Sequence, residues 1–284
     1  IASGGFHANL EWRAKYLGPN WDLAKVRGSR YNTGDGIRMA LEAGAVPHGH
    51  WSGCHAVFYD LNAPPLGDIH QLNQQKNYFS HGIVVNAEGQ RFFDEGADFR
   101  NYIYSKMGAK VLAQPQGVAW QVFDAQTNAL LPDEYRTRGT TRLQADTLEA
   151  LAAQMEGIDA LAFLRTVHEF NAACGDAPFN PAVKDGRCTR GLAIEKTNWA
   201  VPLAQAPFVA YAVTCGITFT LGGLKVDTDG QVLDLEDRPL GGLYAAGELV
   251  GGLYYVNYAG GAGLTAGSAI GRAAGRHAAL QAKG

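Results

Sequence analysis

Paired cysteines are missing from this sequence. Its four cysteines, Cys54, Cys174, Cys188 and Cys215, are scattered through 284 residues with no Cys-x-x-Cys spacing. That excludes a zinc ribbon or a disulfide frame and fits the reduced thiols of a cytoplasmic protein. An excess of either charge is missing too: 24 Lys+Arg face 27 Asp+Glu, a net charge of −3. A nucleic-acid partner or an anionic-membrane surface is therefore not expected. No apolar run is long enough to span a bilayer, and no charged-then-apolar leader opens the chain. Internal repeats, charge runs and low-complexity linkers are absent as well. So is an initiating Met, and Ile1-Ala2-Ser3-Gly4-Gly5-Phe6 reads as the end of a buried strand turning into a helix.

Glycine is abundant. The chain has 36, and pairs stand at Gly4-Gly5, Gly222-Gly223, Gly241-Gly242, Gly251-Gly252 and Gly260-Gly261, as close backbone approach to a ligand requires. The most informative stretch is the C-terminal tenth. Gly242-Leu243-Tyr244-Ala245-Ala246-Gly247-Glu248 reads as a buried strand ending in a carboxylate. Asn257-Tyr258-Ala259-Gly260-Gly261-Ala262-Gly263-Leu264 reads as a glycine turn feeding a helix of small residues. The free amides and dipole of a helix start attract negative charge. Such an element can hold the pyrimidine edge of a flavin while Glu248 accepts a hydrogen bond from a sugar-alcohol hydroxyl, or it can be a βα turn that only packs. Gly261-Ala262-Gly263-Leu264-Thr265-Ala266 is not a dinucleotide fingerprint, because no strand and no acidic residue follow it.

Periodicity predicts an amphipathic helix over 9–17 and a second helix from Thr33, capped by Thr33 or Asp35. It predicts a hairpin over 81–93 turning at 87–90, and a strand over 118–124. Helices follow over 146–156, started by an Asp146/Glu149 capping box, and over 159–173. Short strands are expected at 208–214, 224–228 and 243–246, and a closing helix at 264–279. The fold class is α/β plus α+β, the order a domain inserted between two segments of another produces.

In chain order, Ile1-Ala2-Ser3-Gly4-Gly5-Phe6, Thr33-Gly34-Asp35-Gly36, Cys54-His55, Arg91-Phe92-Phe93-Asp94-Glu95, Thr220-Leu221-Gly222-Gly223, Gly247-Glu248 and the closing glycine turn resemble the flavoprotein subunits of the fumarate reductase/succinate dehydrogenase superfamily. Three runs resemble its FAD-dependent tricarballylate dehydrogenase branch: Trp51-Ser52-Gly53-Cys54-His55-Ala56-Val57, Asp94 through Tyr102, and Val213 through Thr220. The resemblance implies a partial, Rossmann-like FAD-binding domain over 1–49 and 220–284, an inserted capping domain over 50–219, and a fingerprint segment upstream of residue 1. It implies oxidation of a small polycarboxylate, tricarballylate to cis-aconitate, with hydride passing to FAD and electrons leaving to a membrane-linked partner protein. Without the upstream segment, FAD binding by this chain is expected to be weak or absent, and an open apolar sheet face would favour a homodimer.

Carried onto this sequence, the resemblance makes Arg100 the proton-transfer residue. A guanidinium is effectively always protonated, so a carboxylate such as Asp98 or Glu95 would have to ease its proton loss. His55 follows a small-residue stretch, Trp51-Ser52-Gly53-Cys54, that reads as a turn, and the resemblance makes it a substrate-binding histidine, with His81, just before the hairpin, a weaker candidate. Glu248 is carried over as the ribityl contact, with Gly263 and Leu264 at the flavin and Asp35, Ser3, Gly4 and Gly5 lining the cofactor side. Tyr258 stands where fumarate reductases carry a second carboxylate-binding arginine, and Phe219 where they carry a histidine. A tricarboxylate would then need other cations, and Arg187, Arg190 or Lys196 could supply them. The alternatives are a 3-oxosteroid Δ1-dehydrogenase, in which a tyrosine at the Tyr258 position polarises a ketone, and a silent fragment unable to hold FAD.

Overall fold

The computed structural model describes residues 1–67 and 74–283. Its strands, in chain order, are β1 (Lys25–Val26), β2 (Pro47–Asp60), β3 (Ile83–Asn86), β4 (Ala119–Phe123), β5 (Arg142–Ala145), β6 (Phe208–Leu224), β7 (Gln231–Leu233) and β8 (Pro239–Tyr244). The helices used below are α1 (Asp35–Glu42), α2 (Arg100–Ile103), α3 (Leu148–Ala152), α4 (Ala160–Ala173) and α5 (Ala262–Gln281). The chain forms two compact units. One gathers Ile1–Ala56, a short stretch starting at Pro65, and the residues from Ile217 onward; the other gathers Val57–Pro64 and the residues up to Gly216. Both long strands, β2 and β6, cross a unit boundary in sequence.

In the second unit, β3 pairs antiparallel with β4, and β4 and β5 each pair antiparallel with β6. Side-chain alternation along a strand splits this sheet into two faces. Ile83, Val85, Trp120, Val122, Ala210 and Ala212 pack with Leu151 of α3 and with Phe163, Val167 and Phe170 of α4. Those helix positions recur at the spacing of one helical face. The opposite face carries Phe123, Tyr135, Val209 and Tyr211, with Tyr78 packed beside them. Gln121 is buried among these rings, and both ends of its amide are bonded. Its Oε1 accepts from the Tyr135 hydroxyl at 2.8 Å and its Nε2 donates to the Lys76 carbonyl at 2.5 Å. The Tyr135 hydroxyl in turn accepts from the Tyr78 amide at 2.9 Å. This chain of bonds fixes the Tyr78 backbone.

In the first unit, β7 and β8 form an antiparallel ribbon. The Ile1 amino group donates to the Tyr244 carbonyl, and the Ala246 amide donates to the Ile1 carbonyl, so the first residue lines the end of β8. Phe6, Trp12, Tyr16 and Trp51 form an aromatic cluster; the Phe6 and Trp51 rings stack at 5.6 Å.

Several local expectations need correction. Gly34, at φ 85, is the N-cap of α1 and no side chain caps it; Asp35 is its first residue and is bonded to Thr33 Oγ1 instead. Thr147, not Asp146, caps α3, because its hydroxyl accepts from the Ala150 amide. The turn after Asn86 forms as expected, with the Gly89 amide bonded to the Asn86 carbonyl. Its return arm makes a single bridge, Val85 to Arg91, while β3 pairs along its other edge with β4. His55 does not follow a turn: Trp51-Ser52-Gly53-Cys54-His55 lies inside β2. The strand expected at 208–214 runs on to Leu224.

Candidate active site

The first unit brings four distant segments together at Glu248. Its Oε1 accepts from the Thr220 amide at 2.9 Å, its Oε2 accepts from Asn32 Nδ2 at 3.1 Å, and His7 Nδ1 lies 3.4 Å from Oε1. Gly5 passes so closely that a Cβ there would strike Thr220 Oγ1 and Glu248 Oε1, and a Cβ on Gly4 (φ 77) would strike the Asn32 side chain. Ser3 packs against Gly36 in the first turn of α1 in the same way. Gly247 (φ 86) and Gly261 (φ 87) take backbone angles that L side chains resist, and nothing lies within 4 Å of where their Cβ atoms would point. Gly267 of α5 approaches Gly247, its Cβ position 3.4 Å from the Gly247 Cα. Leu264 is 82 % exposed at the start of α5. The Gly263 amide, expected at the cofactor, donates here to the Tyr258 hydroxyl at 2.9 Å.

Three residues singled out from separate parts of the sequence meet in this unit. The His55 ring stacks on Phe219 at 4.7 Å and meets Tyr258 edge-on at 5.1 Å; Phe219 and Tyr258 are 4.8 Å apart, and Tyr254 closes on Tyr258 at 5.0 Å. Burial, and secondarily the charge of Arg27, pushes the His55 imidazole down to about 3, so it is neutral at physiological pH. Arg27 NH1 also donates to Thr218 Oγ1 at 3.3 Å. Sequence reading missed Arg27, Asn32 and His7, since only folding brings them to His55 and Glu248. His7 Nε2 is buried with no hydrogen-bond partner among the described residues.

The second unit holds the cations singled out in the sequence as substrate contacts. Arg100 opens α2, and its guanidinium lies 4.5 Å from the centre of the Tyr78 ring, a cation–π contact. Neither carboxylate expected to serve it is available. Glu95 is fully buried, forms an ion pair with Arg91 and accepts from the Val84 amide at 2.9 Å. Asp98 pairs with Lys184 at 3.1 Å, and that bond, with the Phe99 amide, holds its carboxyl below the usual range. Of the three other candidate cations, Arg187 donates its Nε to the Ala200 carbonyl at 3.0 Å. Lys196 is buried and donates Nζ to the Gly82 carbonyl at 2.6 Å; burial pushes it down to about 8. Arg190 is exposed. Arg187 thus braces its own loop, and Lys196 ties that loop to the turn before β3.

The chain belongs to the FAD binding domain family, whose model matches residues 1–264. It is homologous to flavoproteins of the fumarate reductase/succinate dehydrogenase superfamily. It is 30% identical over 295 residues to the NADH:fumarate oxidoreductase of Klebsiella pneumoniae strain 342, covering 100% of this chain and 28% of that protein. The open conformation of a flavocytochrome c3 fumarate reductase matches with a TM-score of 0.71 at 28% identity, over 98% of this chain and 45% of that one. The 3-ketosteroid delta1-dehydrogenase from Sterolibacterium denitrificans, in complex with 1,4-androstadiene-3,17-dione, also gives 0.71, at 27% identity, over 98% of this chain and 52% of that one. The chain therefore spans about half the length of these relatives, or less.

FAD is the cofactor of this family, and the residues fit it. A carboxylate has about four acceptor positions, so Glu248 retains room for a ligand hydroxyl beside its protein donors. The open glycine bends at Gly247 and Gly261 offer bare backbone to a flat ring. Among the described residues no cluster of His, Cys, Asp or Glu could hold a metal ion, and no helix is long and apolar enough to cross a membrane.

Proposed function

We propose that the protein to which this chain belongs dehydrogenates a CH–CH bond of a small polycarboxylate, tricarballylate giving cis-aconitate. The observation that carries this reading is the Arg100 guanidinium, a fixed cation held over Tyr78 at the position the sequence resemblance ties to substrate chemistry. FAD, when bound, supplies a hydride acceptor. The remaining work falls to this chain's residues. Arg100 orients a carboxylate and, after one guanidinium proton has left to solvent, takes up the proton that the substrate loses from the carbon next to the one giving up hydride. Ser3, Gly4, Gly5, Asp35, Glu248, Gly263 and Leu264 form the cofactor side. His55, Phe219 and Tyr258 offer the substrate a neutral imidazole, a phenol and an apolar wall, and Arg190 supplies a further carboxylate contact. In this reading 1–49 and 220–284 serve FAD and 50–219 is the capping domain. The protein works in the cytoplasm and passes its electrons to a membrane-linked partner.

One observation favours a second reading. The rings of the His55–Phe219–Tyr258 cluster are themselves uncharged, with Arg27 the cation that acts on His55; an aromatic, uncharged wall suits a ketone such as a 3-oxosteroid, polarised by the Tyr258 hydroxyl. Mixing the full-length, FAD-loaded protein anaerobically with tricarballylate or with a 3-oxosteroid separates the two. Loss of the flavin's visible absorbance with tricarballylate, and recovery of cis-aconitate, is the expected result. Bleaching by the steroid alone overturns the polycarboxylate reading.

A further inference from the structure

In the second unit an uncharged ring stands in a field of positive charge. His81 Nδ1 is buried and has no hydrogen-bond partner among the described residues. The ring is walled by Tyr78 at 5.8 Å and Phe179 at 6.4 Å, with Arg100 lying over the same Tyr78. Lys196 donates to the carbonyl of Gly82, the next residue in the chain. Burial first, then the charges of Lys196 and Arg100, push the imidazole down to about 4. Both charged groups acting on it are cations, so this neutral ring sits where positive potential accumulates. A buried polar atom without a partner is destabilising, and native structures leave few of them. The group that completes this bond has to tolerate Arg100 and Lys196, which disfavours a metal or ammonium ion and favours an anionic oxygen.

We propose that His81 is a substrate-contacting residue: as the Nδ1–H tautomer it donates a hydrogen bond to a carboxylate oxygen of the bound acid, beside the Arg100 guanidinium. The inference rests on the polycarboxylate reading given above. It also explains how a chain with Tyr258 and Phe219 in place of cationic anchors still recognises an acid: part of the recognition moves to the turn that precedes β3.

Calorimetric titration of the full-length, FAD-loaded protein with tricarballylate tests this. His81→Leu is expected to weaken binding by about 10-fold to 100-fold, the loss that follows removal of a hydrogen bond to a charged group. His81→Asn, whose amide occupies the Nδ1 position, is expected to stay within about 3-fold of the native protein on the same scale. Unchanged binding by His81→Leu overturns the inference. If that variant fails to fold, His81→Gln replaces it, since its amide sits at the Nε2 position; equal binding by the Asn and Gln variants is then the overturning result. Native protein that binds a 3-oxosteroid and no tricarballylate removes the polycarboxylate reading itself, and this inference with it.

Discussion

The two units bury polar chemistry in opposite ways. In the first, a single carboxylate, Glu248, is shared among an amide, an asparagine and a histidine from distant segments, and glycines let the backbone close in around it. In the second, charges are buried against one another: Arg91 on Glu95, with Lys196 fixed to a carbonyl nearby. One histidine from each unit shows the contrast: His55 meets the rings of Phe219 and Tyr258, whereas Tyr78, the ring beside His81, carries the Arg100 guanidinium on its face. Bare backbone suits a large flat ligand met over a broad surface, and fixed charge suits a small ion met at a point.

The comparison breaks most visibly at Arg100. If the second unit carries the acid–base chemistry, Arg100→Ala should lower kcat by about 10²-fold to 10⁴-fold, the range for a group assisting proton transfer, while the visible spectrum of bound FAD stays unchanged. Loss of the flavin instead would move Arg100 to the cofactor side of the comparison. Glu95→Ala strands the Arg91 charge in the interior and should cost about 3–5 kcal/mol in chemical denaturation. A cost near zero would mean that the buried pair is structurally idle.

Acid sharpens the contrast further. Both histidines titrate lower in the fold than at their ordinary 6.5, His81 at about 4 and His55 at about 3. The unfolded chain therefore takes up protons first as pH falls. Stability should be fully present above about pH 6.5 and decline below it, by at most about 1.4 kcal/mol per pH unit for each histidine. The His81 contribution ceases below about pH 4 and that of His55 below about pH 3. Denaturation midpoints measured between pH 7.5 and 4.5 should fall less steeply in His55→Phe. Last, Glu248→Gln turns an amide donor toward donors already in place and should cost about 1–3 kcal/mol, with weaker FAD retention on gel filtration. A larger cost than that of Glu95→Ala would reverse the order of the two units.

Much of the second unit was legible in sequence because its elements are locally consistent. The apolar run Ala119–Phe123, the apolar face of Ala160–Ala173 and the Gly89 turn each carry their own local signal. The glycine-rich strands were not. Trp51-Ser52-Gly53-Cys54 reads as a turn, yet it is a strand interior, and Gly222 is required within β6 because a Cβ there would crowd Trp51. A glycine kept for close packing looks, in sequence, like a glycine kept for a bend. The meeting of His55, Phe219 and Tyr258 could be anticipated only through the resemblance. Arg27 beside them could not, since the charge acts through space and leaves no spacing pattern. The competition between Arg91 and Arg100 for Glu95 was likewise invisible: Arg91, four residues before Glu95, wins it.

The first unit is assembled from both ends of the sequence, and Glu248 stitches the ends together. On a ribosome, Gly5 and Asn32 emerge long before Thr220 and Glu248 exist, while every residue of the second unit has been made by the time Ile217 is added. The middle can therefore finish folding while the early glycine segment waits without its carboxylate. A nascent chain halted short of Glu248 would hold every residue of the second unit and an early glycine segment still lacking its carboxylate.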